Sequence, residues 1–248
     1  MTAEFLSYLV LGAAAGGLIN GFAGFGTALF ALGFWLQIMP PVQAVSTVVV
    51  MSVASGLQGL WLVRRSIADQ PRRLARFLLP ALIGIPAGVA LLSALQPGIL
   101  KIIIAGFMIL YGGFFTLRGS LPRLERPTPV IDSFVGLLGG ILGGAASLSG
   151  ALPTMWCAMR PWPKSETRAV LQPYNVTVLG LAMAVFAFKG AYDRDSVLLI
   201  AIALPVTMIA AQIGISAFKR LSDDQFRRII IFMMFVSGTI LLVRELMI

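Results

Sequence analysis

Hydrophobic positions run through this chain almost without interruption, and no charge appears between Glu4 and Arg64. The 59 residues from Phe5 to Val63 exceed two membrane crossings of about 20 residues each. Apolar segments fall at 5–38, 42–63, 75–95, 98–117, 131–159, 169–188, 196–217 and 226–244. The pattern predicts an all-α polytopic membrane protein with the lipid bilayer as its solvent. A stretch rich in Pro and charge, LRGSLPRLERPTP at 117–129, breaks the series. It sets a first membrane repeat at 1–117, a cytoplasmic linker at 118–129 and a second repeat at 130–248, together one integral membrane domain.

The halves match at an offset of about 125 residues, as an internal duplication would. Gly12, Gly16 and Gly26 correspond to Gly136, Gly140 and Gly150, Pro80 to Pro205, and LKIII at 100–104 to the later RRIII. Each half is one long glycine-rich segment followed by three ordinary spans. Basic residues then choose between topologies, because cytoplasmic loops collect Lys and Arg. Eight simple crossings would divide the 19 basic residues almost evenly. If 5–38 and 131–159 instead enter and turn back, the inner loops hold all but Lys101, Lys189, Arg194 and Arg244. Three full crossings per half is an odd number, so the second repeat is expected to be inverted relative to the first. The amino terminus then lies outside.

Splitting 131–159 at its middle gives arms of about 14 residues, roughly 21 Å long at 1.5 Å per residue. Such an arm falls short of the roughly 30 Å hydrocarbon core. The predicted architecture is two inverted repeats, each a re-entrant broken hairpin plus three transmembrane helices. In secondary transporters built this way the site lies near the midplane, where the repeats meet.

The hairpin midpoints carry the candidate chemistry. GFAGFGT at 21–27 faces its counterpart SLSGALPT at 147–154. Irregular backbone at membrane depth is tolerated only where it is buried in protein or lines a wet cavity. Glycine permits the reversal, and the half-helices that follow aim their positive ends at one volume. Gly24, Gly26, Thr27, Ser147, Ser149 and Gly150 are the expected contacts of a small anion there, with Thr154 a further hydroxyl. Asn20, Thr47, Gln172 and Asn175 add polar groups from the neighbouring helices, since an amide in hydrocarbon needs partners. Gly12, Gly16, Gly17, Gly136, Gly139, Gly140, Gly143 and Gly144 fit close helix packing instead. Trp35, Trp61, Trp156 and Trp162 lie near span ends, where interfacial anchoring is expected.

Composition narrows the function classes. The chain is 58% hydrophobic and 12% charged, with a mean hydropathy of +0.92. One Cys and no His leave no disulfide framework, no zinc site of the usual type and no His-ligated haem. No cofactor or metal is implied, and an enzyme is not expected, because Cys157 and the serines have no His base. The net charge of +9 signals orientation rather than nucleic acid. Glu4 stands where a cleaved signal peptide would be basic, so MTAEFLSYLV reads as mature sequence. No Asp, Glu or His falls at the centre of a predicted span, so no proton relay is visible and a neutral anion site is expected.

The duplicated order of glycine-rich hairpin, Pro-containing turn (MPPVQAVST; RPWPKSETRAV), polar second span and two further spans resembles the sulfite exporter TauE/SafE family of bacterial inner membranes. The likeness covers about residues 8 to 243. The family's start of the second span looks like Ala44-Val45-Ser46-Thr47, while the second half reads Ala169-Val170-Leu171-Gln172. The resemblance implies export of a small sulfur-containing anion, sulfite or an organosulfonate, across the cell inner membrane. A non-transporting scaffold and a channel-like facilitator for another small anion stay open as alternatives, and oligomeric state is not derivable.

Overall fold

The computed structural model describes residues 2–69, 71–94, 102, 105–106, 109, 113 and 124–246. Among these residues all regular structure is helical: α1 (Ala3–Ala23), α2 (Thr27–Trp35), α3 (Pro41–Asp69), α4 (Pro71–Ala94), α5 (Pro129–Ala146), α6 (Ala151–Ala158), α7 (Lys164–Phe188), α8 (Arg194–Arg220) and α9 (Asp223–Leu246). Six stretches among the described residues are long and apolar enough to cross a membrane: Ala3–Ala23, Pro41–Trp61, Pro71–Leu91, Pro129–Ala146, Lys164–Phe188 and Arg194–Arg220. The expected span 98–117 lies almost wholly outside the described residues.

Both glycine-rich segments break, but not at their middles. The first splits into helices of 21 and 9 residues, the second into 18 and 8. At 1.5 Å per residue the returning arms are roughly 13 and 12 Å long. The expectation of two arms of about 14 residues is therefore corrected: a long first arm carries the break deep, and a short helix turns back from it. The break sits where the backbone can take left-handed angles, at Gly24 and at Ser147, and not at the segment's centre of length.

Each returning arm folds against its own first arm. Trp35 Nε1 donates to the Leu9 carbonyl at 3.1 Å, and the Tyr8 and Phe34 rings meet edge to face at 6.4 Å. In the second segment Trp156 Nε1 donates to Asp132 Oδ1 at 2.7 Å, and Arg160 pairs with the same oxygen at 3.1 Å. Trp35 is thus fully buried, correcting its expected place at an interface. Its indole needs a depth at which an acceptor is available, and α1 supplies one.

Long helices then exchange between the halves. α1 packs on α8, α5 on α4, and α3 on α7. Missing side chains let the backbones close. A Cβ on Gly17 would meet Thr207 backbone and one on Gly21 would meet Ala211 backbone, while Gly136 and Gly140 approach Phe77 and Ala81 in the same way. These are the small-residue contacts by which helices associate in membranes, as expected for Gly17, Gly136 and Gly140. α3 and α7 run antiparallel. Near the start of α3, Gln43 donates to Ser196 Oγ at 3.1 Å and Ser46 accepts from Tyr192, both partners lying beyond the end of α7. Just past the other end of α3, Arg73 pairs with Glu166 of the first turn of α7 at 2.6 Å.

Four basic stretches gather at one end of the bundle. Besides the Arg73–Glu166 pair, Arg160 donates to the carbonyls of Leu124 and Arg126. The Lys164 backbone N–H donates to Asp223 at 3.1 Å. The stretches around residues 73, 124, 164 and 223 are therefore neighbours. Lys189 and Arg194 lie at the opposite end of α7 and are exposed. Beside them burial pushes the Tyr192 phenol up to about 12, and the Ser196 N–H holds the Asp193 carboxyl below its ordinary range.

Candidate functional site

The first break is built by two glycines. Gly24, at φ +82°, ends α1 with its N–H on the Asn20 carbonyl at 2.8 Å. Gly26, at φ +94°, precedes Thr27. Both angles lie in the left-handed region that only glycine enters cheaply. The second break uses a different residue. Ser147, at φ +57°, closes α5 with its N–H on the Gly143 carbonyl at 3.0 Å, at a cost of about 1–2 kcal/mol for an L-residue. Gly150 has ordinary helical angles, φ −80° and ψ −13°. Its missing side chain makes room instead: a Cβ there would press on Phe25 and stand 3.1 Å from Asn175 Nδ2.

The two breaks meet at one amide. Asn175 Nδ2 donates to the Gly24 carbonyl at 3.0 Å, while Asn175 Oδ1 accepts from the Ser149 hydroxyl. Gly24, Phe25, Ser149, Gly150 and Asn175 thus form one buried junction between halves of the chain. Gln172, one turn earlier on α7, donates from Nε2 to the Gly56 carbonyl at 3.0 Å and faces Gly24 through Oε1.

Asn20 and Ser147 have partners of their own. Asn20 donates to Ser55 Oγ at 2.6 Å and to the Ser52 carbonyl at 3.1 Å, so it ties α1 to α3. Ser147 Oγ bonds the Val45 carbonyl at 3.4 Å. Gly26 packs near Ile19, and the Thr27 methyl lies against Gly16. The Thr27, Thr47 and Thr154 hydroxyls are buried with no hydrogen-bond partner among the described residues. Neither α2 nor α6 has a side-chain cap at its first turn, which leaves backbone N–H groups pointing out of each helix start.

Two arginines read from sequence as loop charges are buried, and this corrects the expectation of a neutral surrounding. Arg160 is 3% exposed and Arg168 0%. Arg160 belongs to a clasp with Thr128, Asp132 and Trp156 at the base of the second hairpin. Arg168 reaches the end of α1, donating from Nη2 to the Gly21 carbonyl at 2.7 Å and from Nη1 to the Phe22 carbonyl at 3.2 Å. Its Nε donates to Gln172 Oε1 at 3.2 Å, and the Phe218 ring lies 4.4 Å below the guanidinium. The available signal was spacing: Arg168, Gln172 and Asn175 stand at i, i+4 and i+7, one face of a helix. Phe25 was likewise missed, since nothing in GFAGFG marks which residue plugs the junction.

A small cleft with room for about one water lies at the basic end of the bundle, lined by Thr154, Trp162, Lys164, Thr167, Asp223 and Phe226. Thr154 places its unpartnered hydroxyl one helical turn from Gly150.

The family model of the sulfite exporter TauE/SafE matches residues 8–241. No curated protein matches the chain. With nearly the whole length covered and six candidate membrane helices, the chain belongs to the sulfite exporter TauE/SafE family. It is a multi-pass membrane transporter and not an enzyme.

Proposed function

We propose that this member of the sulfite exporter family moves a small sulfur oxyanion, sulfite or an organosulfonate, outward across the bacterial inner membrane. The anion binds where the two helix breaks meet. The observation that carries this reading is the single amide of Asn175, bonded to Gly24 of one break and to Ser149 of the other. Among the described residues the hydroxyls of Thr27 and Thr47 have no hydrogen-bond partner, and the helices that follow the two breaks, α2 and α6, start without side-chain caps. Donors and positive dipole ends of this kind suit an anion. Asn20, Gly24, Gly26, Thr27, Thr47, Ser147, Ser149, Gly150, Gln172 and Asn175 make up the proposed binding region.

Inverted repeats, 1–117 and 130–248, with 118–129 as a linker, are part of the same reading. The antiparallel pairing of α3 with α7 supports it, since these are the second spans of the two halves and inversion makes them run oppositely. Contact of the basic stretches around 73, 124, 164 and 223 at one end supports two re-entrant hairpins. On this reading that end is the cytoplasmic one and the amino terminus lies outside. The cleft at Thr154 and Lys164 then serves as the inner mouth.

Outward movement needs no proton relay. With the interior negative, each expelled negative charge gains about 2.3 kcal/mol per 100 mV. One repeat rocks against the other around the fixed site.

The test is thermal unfolding of the detergent-purified protein against sulfite, sulfate, thiosulfate, sulfoacetate, acetate and chloride, for wild type and for Thr27→Val combined with Ser149→Ala. An anion at 100 times its Kd stabilises by about 2.7 kcal/mol. The reading predicts such a shift with a sulfur oxyanion in wild type and its loss in the double variant. A flat response across the panel overturns it in favour of a scaffold.

A further inference from the structure

Arg168 is fully buried four residues into α7, and each of its polar partners among the described residues is an uncharged oxygen. They are the Gly21 and Phe22 carbonyls and Gln172 Oε1. No carboxylate pairs with it among the described residues. The contrast with Arg160 is instructive, because that equally buried guanidinium has the Asp132 carboxylate at 3.1 Å. An ion held in low dielectric without a countercharge is costly even after relaxation. The carbonyls at the end of α1 offset part of that cost, since a helix C-terminus carries partial negative charge. They do not neutralise it.

The guanidinium also has unused capacity. Of its five N–H donors, three are engaged among the described residues, one each on Nε, Nη1 and Nη2. One N–H on each terminal nitrogen is left for a further acceptor. The side chain runs beside the first break: the Arg168 Cγ is 3.6 Å from the position a Cβ on Gly24 would take, and Gln172 Oε1 is 2.7 Å from it. Pseudo-equivalent positions sharpen the point. Aligning Ala44 with Ala169 sets Gln43 opposite Arg168, so one half has a neutral amide where the other has a buried cation. A role in packing both halves alike would not need that asymmetry.

Resting on the transport reading above, we infer that Arg168 is an anion-contacting residue and the charge that selects an oxyanion. It holds two oxygens of a sulfite, sulfonate or carboxylate group through its terminal nitrogens, beside Gln172 and the Gly24 break. A planar fork matches an anion with two adjacent oxygens and has no such match with a halide. The Gly21 and Phe22 carbonyls compete for the same guanidinium, so release of the anion returns Arg168 to the end of α1. This is how a buried Arg serves a transporter without trapping its cargo.

Isothermal titration of sulfite and chloride into the full-length protein in detergent tests the inference. Arg168→Lys keeps the charge and a donor for the carbonyls but loses the fork. Sulfite affinity is expected to fall about tenfold or more, with chloride nearly unchanged, so the preference for sulfite narrows. If the Lys variant binds sulfite as wild type does, Arg168 is only a cap on α1 and the inference is overturned. If wild type binds no oxyanion at all, the transport reading falls first and this one with it.

A second pair of variants covers the case in which Arg168→Lys does not fold. Gln172→Glu puts a carboxylate within reach of Arg168 Nε and cancels its charge while compensating it structurally. Gln172→Met removes the amide and leaves the charge. Sulfite affinity is expected to drop at least tenfold further in the Glu variant than in the Met variant, with the Glu variant's thermal stability retained. Equal affinities in the two contradict the inference.

Discussion

The amide nitrogen of Asn175 lies 3.0 Å from the carbonyl oxygen of Gly24, 151 residues away in sequence. That bond and the one from Ser149 to the same amide make a side chain of α7 the fastener of both helix breaks. Replacing Asn175 by Leu keeps the volume and removes both bonds. It leaves a buried carbonyl and a buried hydroxyl unsatisfied, at about 1–3 kcal/mol for such a group. Thermal unfolding in detergent should show the loss, and an unchanged melting temperature would contradict the junction.

Backbone geometry makes a sharper contrast. Gly24 has φ +82° and its Cβ position is occupied by Gln172, so Gly24→Ala is expected to cost at least the 1–2 kcal/mol of a left-handed L-residue. Gly33 sits inside α2 with nothing within 4 Å of a Cβ. Gly33→Ala should be neutral, or stabilising by about 0.5–1 kcal/mol. Equal melting shifts for the two substitutions would refute the reading of the break.

The base of the second hairpin is held by charge. Asp132 is 3% exposed and pairs with the buried Arg160 at 3.1 Å. Asp132→Asn is expected to destabilise by about 3–5 kcal/mol, the usual result of removing one partner of a buried pair. Replacing both, Asp132→Leu with Arg160→Met, should recover much of that loss, which a double-mutant cycle measures directly.

Much of this architecture was legible because it follows from apolar length and from where charge is tolerated. The broken segments were visible as glycine clusters inside runs too long for one crossing, and Gln172 with Asn175 as amides that hydrocarbon would not tolerate alone. What escaped was governed by tertiary contact. Arg168 stands next to a polar turn, and only the arrival of the α1 carbonyls from far along the chain turns it inward. Trp35 looked interfacial until Leu9 supplied an acceptor. The unequal arms depend on where left-handed backbone is tolerated, and Ser147 holds such a position without the glycine that would have announced it.

Topology is open to direct labelling. Single cysteines at Pro40 and at Trp162, in a Cys157→Ala background, should react with an impermeant maleimide from opposite faces of the membrane, residue 40 from outside and residue 162 from inside. Labelling of both from one face would remove the hairpins and the inversion together.

Anion flux through the junction is the decisive measurement. Sulfite uptake or release should be measured in proteoliposomes under an imposed membrane potential, for wild type and for Ser149→Ala, which trims one hydroxyl from the junction. The account predicts saturable sulfite flux in wild type, accelerated by a potential that drives anions in the measured direction, and about a tenfold or greater loss in the variant, the range for a hydrogen bond to a charged group. Flux no greater than in empty liposomes, or flux untouched by Ser149→Ala, would contradict an anion path through the meeting point of the two breaks.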